Sequence, residues 1–539
     1  MTFDYHSPYL THRAPLFARN VVATSHPLAA QAGLRMLAAG GNAVDAAIAT
    51  AACMTIVEPC SNGLGSDAFC ILWDGTQLHG LNASGPAPAA WTRDYFVRKY
   101  GEGAATPPPR GWDSVSVPGA VAAWSALSQR FGKLPFADLM VPAAEVAERG
   151  FAMPVTVQQK FMLASKVRDL VAGPGYADAF LPKGRPPEVG ERFTMPHAAR
   201  ALKLIGATQG EAFYRGEIAA AIEAWAKQHG GAMRASDLAA YQPEWVTPLA
   251  QPYRGHTLHE IPPNGQGIAA QMALGMLEHF DLASMDLDGP ACQHLQIEAM
   301  KLAFADVYRF VADERHMEGP ASMLLDAQYL AARAKLIDPQ RAQIFGAGYG
   351  IKGGTIYLSA ADESGMMVSF IQSNYMGFGS GVVEPTFGVS LQNRGAGFSL
   401  DRKHPNVVAP GKKPFHTIIP GFLTKDGKPV MSFGIMGGNM QPQAHLQTLV
   451  RMLCHQQNPQ AACDAPRWRF DQGLDVNVEH HMPAATADGL HALGHNLVRI
   501  DDSYMDFGAG QFIWRLGDPA VEGYVAASDS RRDGQAAGY

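Results

Sequence analysis

The stretch NAVDAAIATAACMTIVEP, from Asn42 to Pro59, constrains this chain more than any other. It has the length and composition of a helix, yet apolar or small residues face every side of it. A surface helix keeps a polar face, so this one must lie in the middle of a large fold with neighbours all round. The preceding stretch, SHPLAAQAGLRMLAAGG from Ser25, reads as a shorter helix with Leu28, Leu34, Met36 and Leu37 as apolar positions. Gly40 and Gly41 stop it.

The totals agree with a large buried core. The chain has 539 residues, of which 47 % are hydrophobic and 17 % charged. That length suits two ordinary domains or one large fold. The net charge of −6 is small for such a length and gives no electrostatic case for binding nucleic acid or an anionic membrane. No apolar run of the length of a membrane span occurs. The start, MTFDYHSPYLTHRAPLFARN, shows no signal peptide, which predicts a cytoplasmic protein. Cys53, Cys60, Cys70, Cys292, Cys454 and Cys463 form no CxxC pair and suit buried thiols in a reducing compartment.

Further along, FCILWDGTQLHGLNA predicts a hairpin turning at Asp74–Gly75, and residues 103–119, rich in Pro and Gly, predict a loop. Helices are predicted over 216–231, 294–315 and 445–457. From 355 the pattern changes to strands: TIYLSAAD, a turn at Glu363–Ser364–Gly365, then MMVSFIQSNY. A second hairpin, TIIPGFLTKDGKPVMSFGI, turns at Asp426–Gly427. No repeat of fixed period is visible. Helices first and strands last fit either two domains or one mixed fold.

Common chemical signatures are absent: there is no HExxH, no Walker lysine loop and no GxSxG elbow. His480 and His481 are adjacent, and neighbours on a strand face opposite ways, so they read as a solvated pair. GLGSD (63–67) and GFGSG (377–381) lack the strand–GxGxxG–helix setting of a phosphate loop. What remains is Thr355, behind Gly353 and Gly354 at the start of a strand. A threonine hydroxyl is a weak nucleophile, but an N-terminal threonine carries its own base in the free α-amine. Breaking Gly354–Thr355 would create that amine, and glycine before the bond tolerates the strained geometry of self-attack. Taken alone, Gly-Gly-Thr reads rather as a turn leading into a strand.

Several collinear stretches carry a resemblance. VVATSHPLAAQAGLRMLAAGGNAVDAAIATA with VEPCSNGLGSDAF, then GEAFYRGEIAAAI, HGGAMRASDLAAYQPEW and YRGHTLHEIPPNGQGIAAQMALGML, lie before Thr355. T-x3-S-x2-D-x2-G at 355–365, the GFGSG run, MGGNMQPQAH and ASDSRRDGQAAGY lie after it. Together they make the chain resemble the γ-glutamyltransferase (glutathione hydrolase) family of self-cleaving N-terminal-nucleophile hydrolases, with uncharacterised bacterial glutathione hydrolase-like proenzymes nearest in pattern.

The resemblance implies a four-layer α/β/β/α sandwich cut into residues 1–354 and 355–539, the two chains remaining together. It implies that Thr355 is the nucleophile, that Ser373 touches it where the family has a threonine, and that Gly437 and Gly438 offer backbone N–H groups to an oxyanion. No metal or organic cofactor is implied, and the partner is a small amide. Association of several copies stays open.

The head-group positions depart from the family. Ser84 stands about where an arginine clamps the substrate carboxylate, and Gly397 where an aspartate holds the amine. Arg394 replaces a glutamine, Tyr375 an asparagine (Asn374 is one step off), and His416–Thr417 a serine pair. Losing both charged anchors together points away from a zwitterionic head group. Arg394 suits a carboxylate, or else an ion pair with a nearby acid. The expected function is an amidohydrolase or acylase acting on a small, carboxylate-bearing amide. A true γ-glutamyl hydrolase or transferase and an uncut non-catalytic member remain as alternatives.

Overall fold

The computed structural model describes residues 13–345, 354–501 and 507–539. Gly353, and most of the N-terminal stretch read for a signal peptide, lie outside the described residues.

The apolar helix runs over Ala43–Val57, and all its residues are buried. Asn42 caps it, its side chain accepting from the backbone of Val44 and Asp45, while Asp45 reaches back to the Asn42 N–H. Asp362, at the turn of the hairpin beyond Thr355, accepts the Ala43 N–H at 2.7 Å and places a carboxylate at the positive helix end. The helix Pro27–Ala38 packs alongside it.

These helices cover a seven-stranded antiparallel sheet. Its order is Gln535–Gly538, Val21–Thr24, Gly354–Ala361, Met367–Tyr375, Asp67–Trp73, Leu78–Ala83 and Glu244–Val246. Every residue of Met367–Tyr375 is buried, because this strand is central and covered on both faces. A second seven-stranded antiparallel sheet follows the order Leu16–Ala18, Tyr524–Ser528, Ala509–Arg515, Lys428–Met436, Gly421–Lys425, His256–Glu260 and Leu249–Tyr253. Phe69, Tyr357, Ile371, Phe422 and Ile513 fill the space between the sheets. Helices Ile268–Leu277, Pro290–Phe310 and Met440–His455 share a core with the outer face of the second sheet. The result is the four-layer α/β/β/α sandwich.

The open choice between two domains and one mixed fold resolves to one, since each sheet takes strands from both sides of Gly354. The hairpins at Asp74–Gly75, Glu363–Gly365 and Asp426–Gly427 form as the alternation predicts. Residues 103–119 are irregular apart from one turn at Trp112–Ser114. The helix expected from 294 begins at Pro290, where proline at the first turn loses no hydrogen bond. The six cysteines are free thiols. Among the described residues no helix is long and apolar enough to cross a membrane.

Candidate active site

Thr355 sits at a fault in the sheet. The pairs Gly354↔Tyr375 and Ile356↔Gln372 bracket one residue on its own strand and two on the partner. Such a bulge re-aims side chains and interrupts pairing. Ser373, inside the bulge, accepts the Tyr375 N–H at 2.8 Å and donates to the carbonyl oxygen of Gly354 at 2.6 Å. Its oxygen lies 3.1 Å from Thr355 Oγ1. A serine hydroxyl has one proton, and Gly354 receives it, so in the third contact Thr355 is the donor. Tyr375 closes the bulge at φ +76°, a strained backbone for a bulky residue.

Gly437 and Gly438 form the turn between the strand Lys428–Met436 and the helix Met440–His455. Their φ values are +130° and +61°, and a Cβ on Gly437 would stand 3.0 Å from the Gly508 Cα. Their peptides lie at the N-terminal end of that helix, where backbone N–H groups favour negative charge. Gln266 Nε2 fixes the turn by donating to the Gly438 carbonyl at 2.9 Å.

A second, wholly buried cluster joins Arg394, Tyr375, Thr417, His416 and Asp67. The Arg394 guanidinium lies 4.1 Å over the centre of the Tyr375 ring, and its Nη1 donates to Thr417 Oγ1 at 2.9 Å. Its Nε stands 3.8 Å from Asp67 Oδ2. Nε and Nη2 have no hydrogen-bond acceptor among the described residues. Burial lowers the Arg394 pKa to about 10, with Asp67 and the Tyr375 ring opposing. Burial raises Asp67 to about 7 although Arg394 opposes it. His416 is pushed well below its usual value by burial and then by Arg394, so its ring is neutral. Its Nδ1 accepts from the Ile418 backbone, which leaves Nε2–H to donate to Asp67 at 3.0 Å.

Other sequence candidates are tied up elsewhere. Asn374, one step along the strand from Ser373, accepts from Ser66 and donates to Ser390. Ser84 Oγ accepts from Asn264 Nδ2 at 2.9 Å. Gly397 leaves no room for an acidic side chain, since a Cβ there would meet the Phe415 carbonyl oxygen at 2.9 Å. Asp67, by contrast, carries no sequence signal beyond its place in VEPCSNGLGSDAF. Its role emerges from contacts with residues more than 300 positions away.

Thr355 and Gly437 line a cavity of about 410 Å³. Arg110, Lys160 and Arg532 also line it, although no local pattern marked them. The one grouping with metal-ligand geometry among the described residues is His294, Glu298 and His495. Its ligand atoms are engaged with one another and with Lys301, whose ammonium lies 2.7 Å from Glu298.

A four-layer sandwich with a threonine hydroxyl near the start of a central strand, sharing a cavity with a glycine turn, has the architecture of an N-terminal-nucleophile hydrolase. The match is specific: the γ-glutamyltranspeptidase family model covers residues 29–539, and the chain belongs to that family. It is thus an enzyme of the hydrolase and acyl-transfer type. A solved cephalosporin acylase from Bacillus halodurans is 45 % identical, with a TM-score of 0.95 over 100 % of this chain and 99 % of that one. The glutathione hydrolase-like YwrD proenzyme of Bacillus subtilis (strain 168) is 34 % identical over 98 % of this chain and its own full length. The oxamate amidohydrolase proenzyme of Klebsiella pneumoniae subsp. pneumoniae is 33 % identical over 98 % of this chain and likewise its full length.

Proposed function

We propose that the protein cuts itself between Gly354 and Thr355 and then hydrolyses a small carboxylate-bearing amide through an ester on Thr355. The observation that carries this is the Ser373 hydroxyl, hydrogen-bonded to the Gly354 carbonyl and in contact with the Thr355 hydroxyl. It polarises the bond to be cut and holds the attacking oxygen beside it. In self-cleavage Thr355 Oγ attacks the Gly354 carbon, the C–N bond breaks, and the Thr355 nitrogen leaves as an amine. Water then hydrolyses the ester and releases Gly354 as a carboxylate.

The products are chains of 354 and 185 residues. They stay together because each sheet interleaves strands of both.

In turnover the freed α-amine takes the Thr355 hydroxyl proton as Oγ attacks the substrate carbonyl, and passes it to the departing amine. Gly437 and Gly438 N–H groups stabilise the oxyanion. Water, activated by the same amine, resolves the ester to a free acid. Arg394, with two unsatisfied guanidinium nitrogens, receives the carboxylate of the acyl half, while Tyr375, His416 and Thr417 hold it in place.

A γ-glutamyl head group would also need an anchor for its amine, and Gly397 has neither the charge nor the space. This favours the acylase reading over a glutathione hydrolase, and the relatives named for cephalosporin acylase and oxamate amidohydrolase activity support it.

The test is the denatured intact mass of fresh protein beside Thr355→Ala. Two fragments meeting at Gly354–Thr355 in the wild type, and one chain in the variant, are expected. One uncut chain in both would overturn the proposal and favour a non-catalytic member. Release of p-nitroaniline from γ-glutamyl-p-nitroanilide at a rate above that of Thr355→Ala would instead restore the γ-glutamyl reading.

A further inference from the structure

The cavity over Thr355 carries a charge pattern that bond cleavage does not require. Leu163, Val167, Leu170, Met376 and Phe378 make its walls largely apolar. Three cations, Arg110, Lys160 and Arg532, also face it, and no carboxylate is among the described lining residues. They come from three separate parts of the fold: a loop, the helix Val155–Ala164 and the last turn before the C-terminal strand.

Glu58 stands behind this wall and is wholly buried. It accepts Lys160 Nζ at 3.0 Å, Ser25 Oγ at 2.6 Å and Ser61 Oγ at 2.7 Å. Burial favours its neutral form, but Lys160, Arg532 and the hydroxyls of Ser25 and Ser61 together outweigh burial and hold it ionised. One buried carboxylate therefore balances one of the cations and aims Lys160. Lys160 also donates to Ser61 at 2.9 Å. An ammonium has three protons, so one donor remains. The Arg110 guanidinium uses Nη1 on the carbonyls of Gly377 and Gly379 and keeps further N–H groups. An apolar chamber with an excess of positive charge suits an apolar group ending in an anion.

None of Ser84, Tyr375, Asn374, Arg394, His416 and Thr417 lines this cavity. It is therefore distinct from the Arg394 cluster. We infer that it is the subsite for the amine half of the amide, and that it selects amines whose apolar body carries a carboxylate or similar anion. The inference rests on the proposed amide hydrolysis for its meaning, but the subsite can be tested without turnover.

The full-length Thr355→Ala protein is titrated with 5-amino-2-nitrobenzoate and with 4-nitroaniline, followed by absorbance. The two amines share a ring and differ by one carboxylate. The carboxylate compound is expected to bind about tenfold more tightly, since charge-assisted hydrogen bonds to a desolvated anion are worth that much. The margin should shrink as salt rises. Adding Arg110→Gln or Lys160→Gln should reduce it to near parity, while Lys160→Arg should retain most of it. Thermal melting of each variant separates lost binding from lost fold, which matters for Lys160→Gln because it leaves Glu58 unpaired. Equal affinity for the two amines, or a preference unchanged in both glutamine variants, would overturn the inference. Preferential binding by Thr355→Ala together with an uncut wild type would instead sink the proposed function and leave the subsite standing.

Discussion

Ser373 Oγ donates to the carbonyl oxygen of Gly354 at 2.6 Å, on the bond that precedes Thr355. In the proposed self-cleavage, a donor already on that oxygen would stabilise the negative charge it gains as Thr355 attacks. Loss of one such donor typically slows acyl transfer about 100- to 1,000-fold. Ser373→Ala is therefore expected to accumulate uncut chain for hours, and Ser373→Thr, which keeps the hydroxyl, to stay within about tenfold of wild type. Intact mass against time after purification measures both. Equal cutting by Ser373→Ala and wild type would remove Ser373 from the chemistry.

If the proposed chemistry holds, a substitution at Gly438 should separate self-cleavage from turnover. The Gly354 carbonyl is held by Ser373, whereas Gly437, beside Gly438 in the glycine turn, lines the cavity at the end of a strand of the second sheet. At φ +61° an alanine costs about 1–2 kcal/mol of backbone strain and tilts the N–H groups. Gly438→Ala should still be cut, and its kcat on any accepted amide should fall about 100-fold with little change in KM. A loss confined to KM would place Gly438 in substrate binding instead.

The layers of the fold were largely legible because they depend on local pattern. A helix apolar on every face can only be central, and Ala43–Val57 is buried throughout. Alternation with a Ser-Gly turn fixed the hairpin from Thr355 to Tyr375. The candidate site was suggested only by resemblance, since Gly-Gly-Thr and Gly437–Gly438 read as ordinary turns when taken alone. The cationic wall had no signal at all. Arg110, Lys160 and Arg532 meet only when the chain closes, and each looks in sequence like any solvated charge. Asn374 shows the converse: it neighbours Ser373 in the chain, yet hydrogen-bonds to Ser66 and Ser390 instead.

Arg394 and Asp67 form a pair whose members should not be removed singly. Without Arg394, the carboxyl of Asp67 keeps its burial and loses the main charge opposing it, so its pKa, already raised to about 7, rises further. A carboxyl with a raised folded pKa favours the folded state below its unfolded value, and that advantage is lost as pH climbs through the folded one. Arg394→Met should therefore be progressively less stable from about pH 4 upwards, with a deficit approaching about 3–5 kcal/mol above neutrality. The double variant Arg394→Met/Asp67→Asn should recover much of that stability without recovering preference for a carboxylate in the acyl half. Urea midpoints at several pH values, beside rates on succinyl- and butyryl-p-nitroanilide, check both halves. A double variant that still prefers the succinyl compound would show that Arg394 does not bind the carboxylate.

His26 gives the fold a defined acid limit. It caps the helix Pro27–Ala38 with Nδ1, which accepts the Leu28 N–H at 3.2 Å, and this needs a neutral ring. Burial lowers its pKa to about 4, with Glu58 opposing weakly. Burial takes His259 to about 4 and His445 to about 3, and burial followed by Lys301 and His294 takes His495 to about 3. Between about pH 6.5 and 4 the unfolded chain binds protons that the folded chain refuses, so stability rises with pH across that window and drops on acidification. At about 1.4 kcal/mol per pH unit, His26 alone accounts for roughly 2–3 kcal/mol between pH 6.5 and 4.5. Asparagine keeps a capping oxygen and does not titrate. His26→Asn should therefore be somewhat less stable at pH 7, where the ring's edge contact with Phe151 is lost, and show a shallower decline to pH 4.5. Denaturant midpoints at the two pH values decide it: parallel declines in variant and wild type would mean that His26 is not among the groups that set the limit.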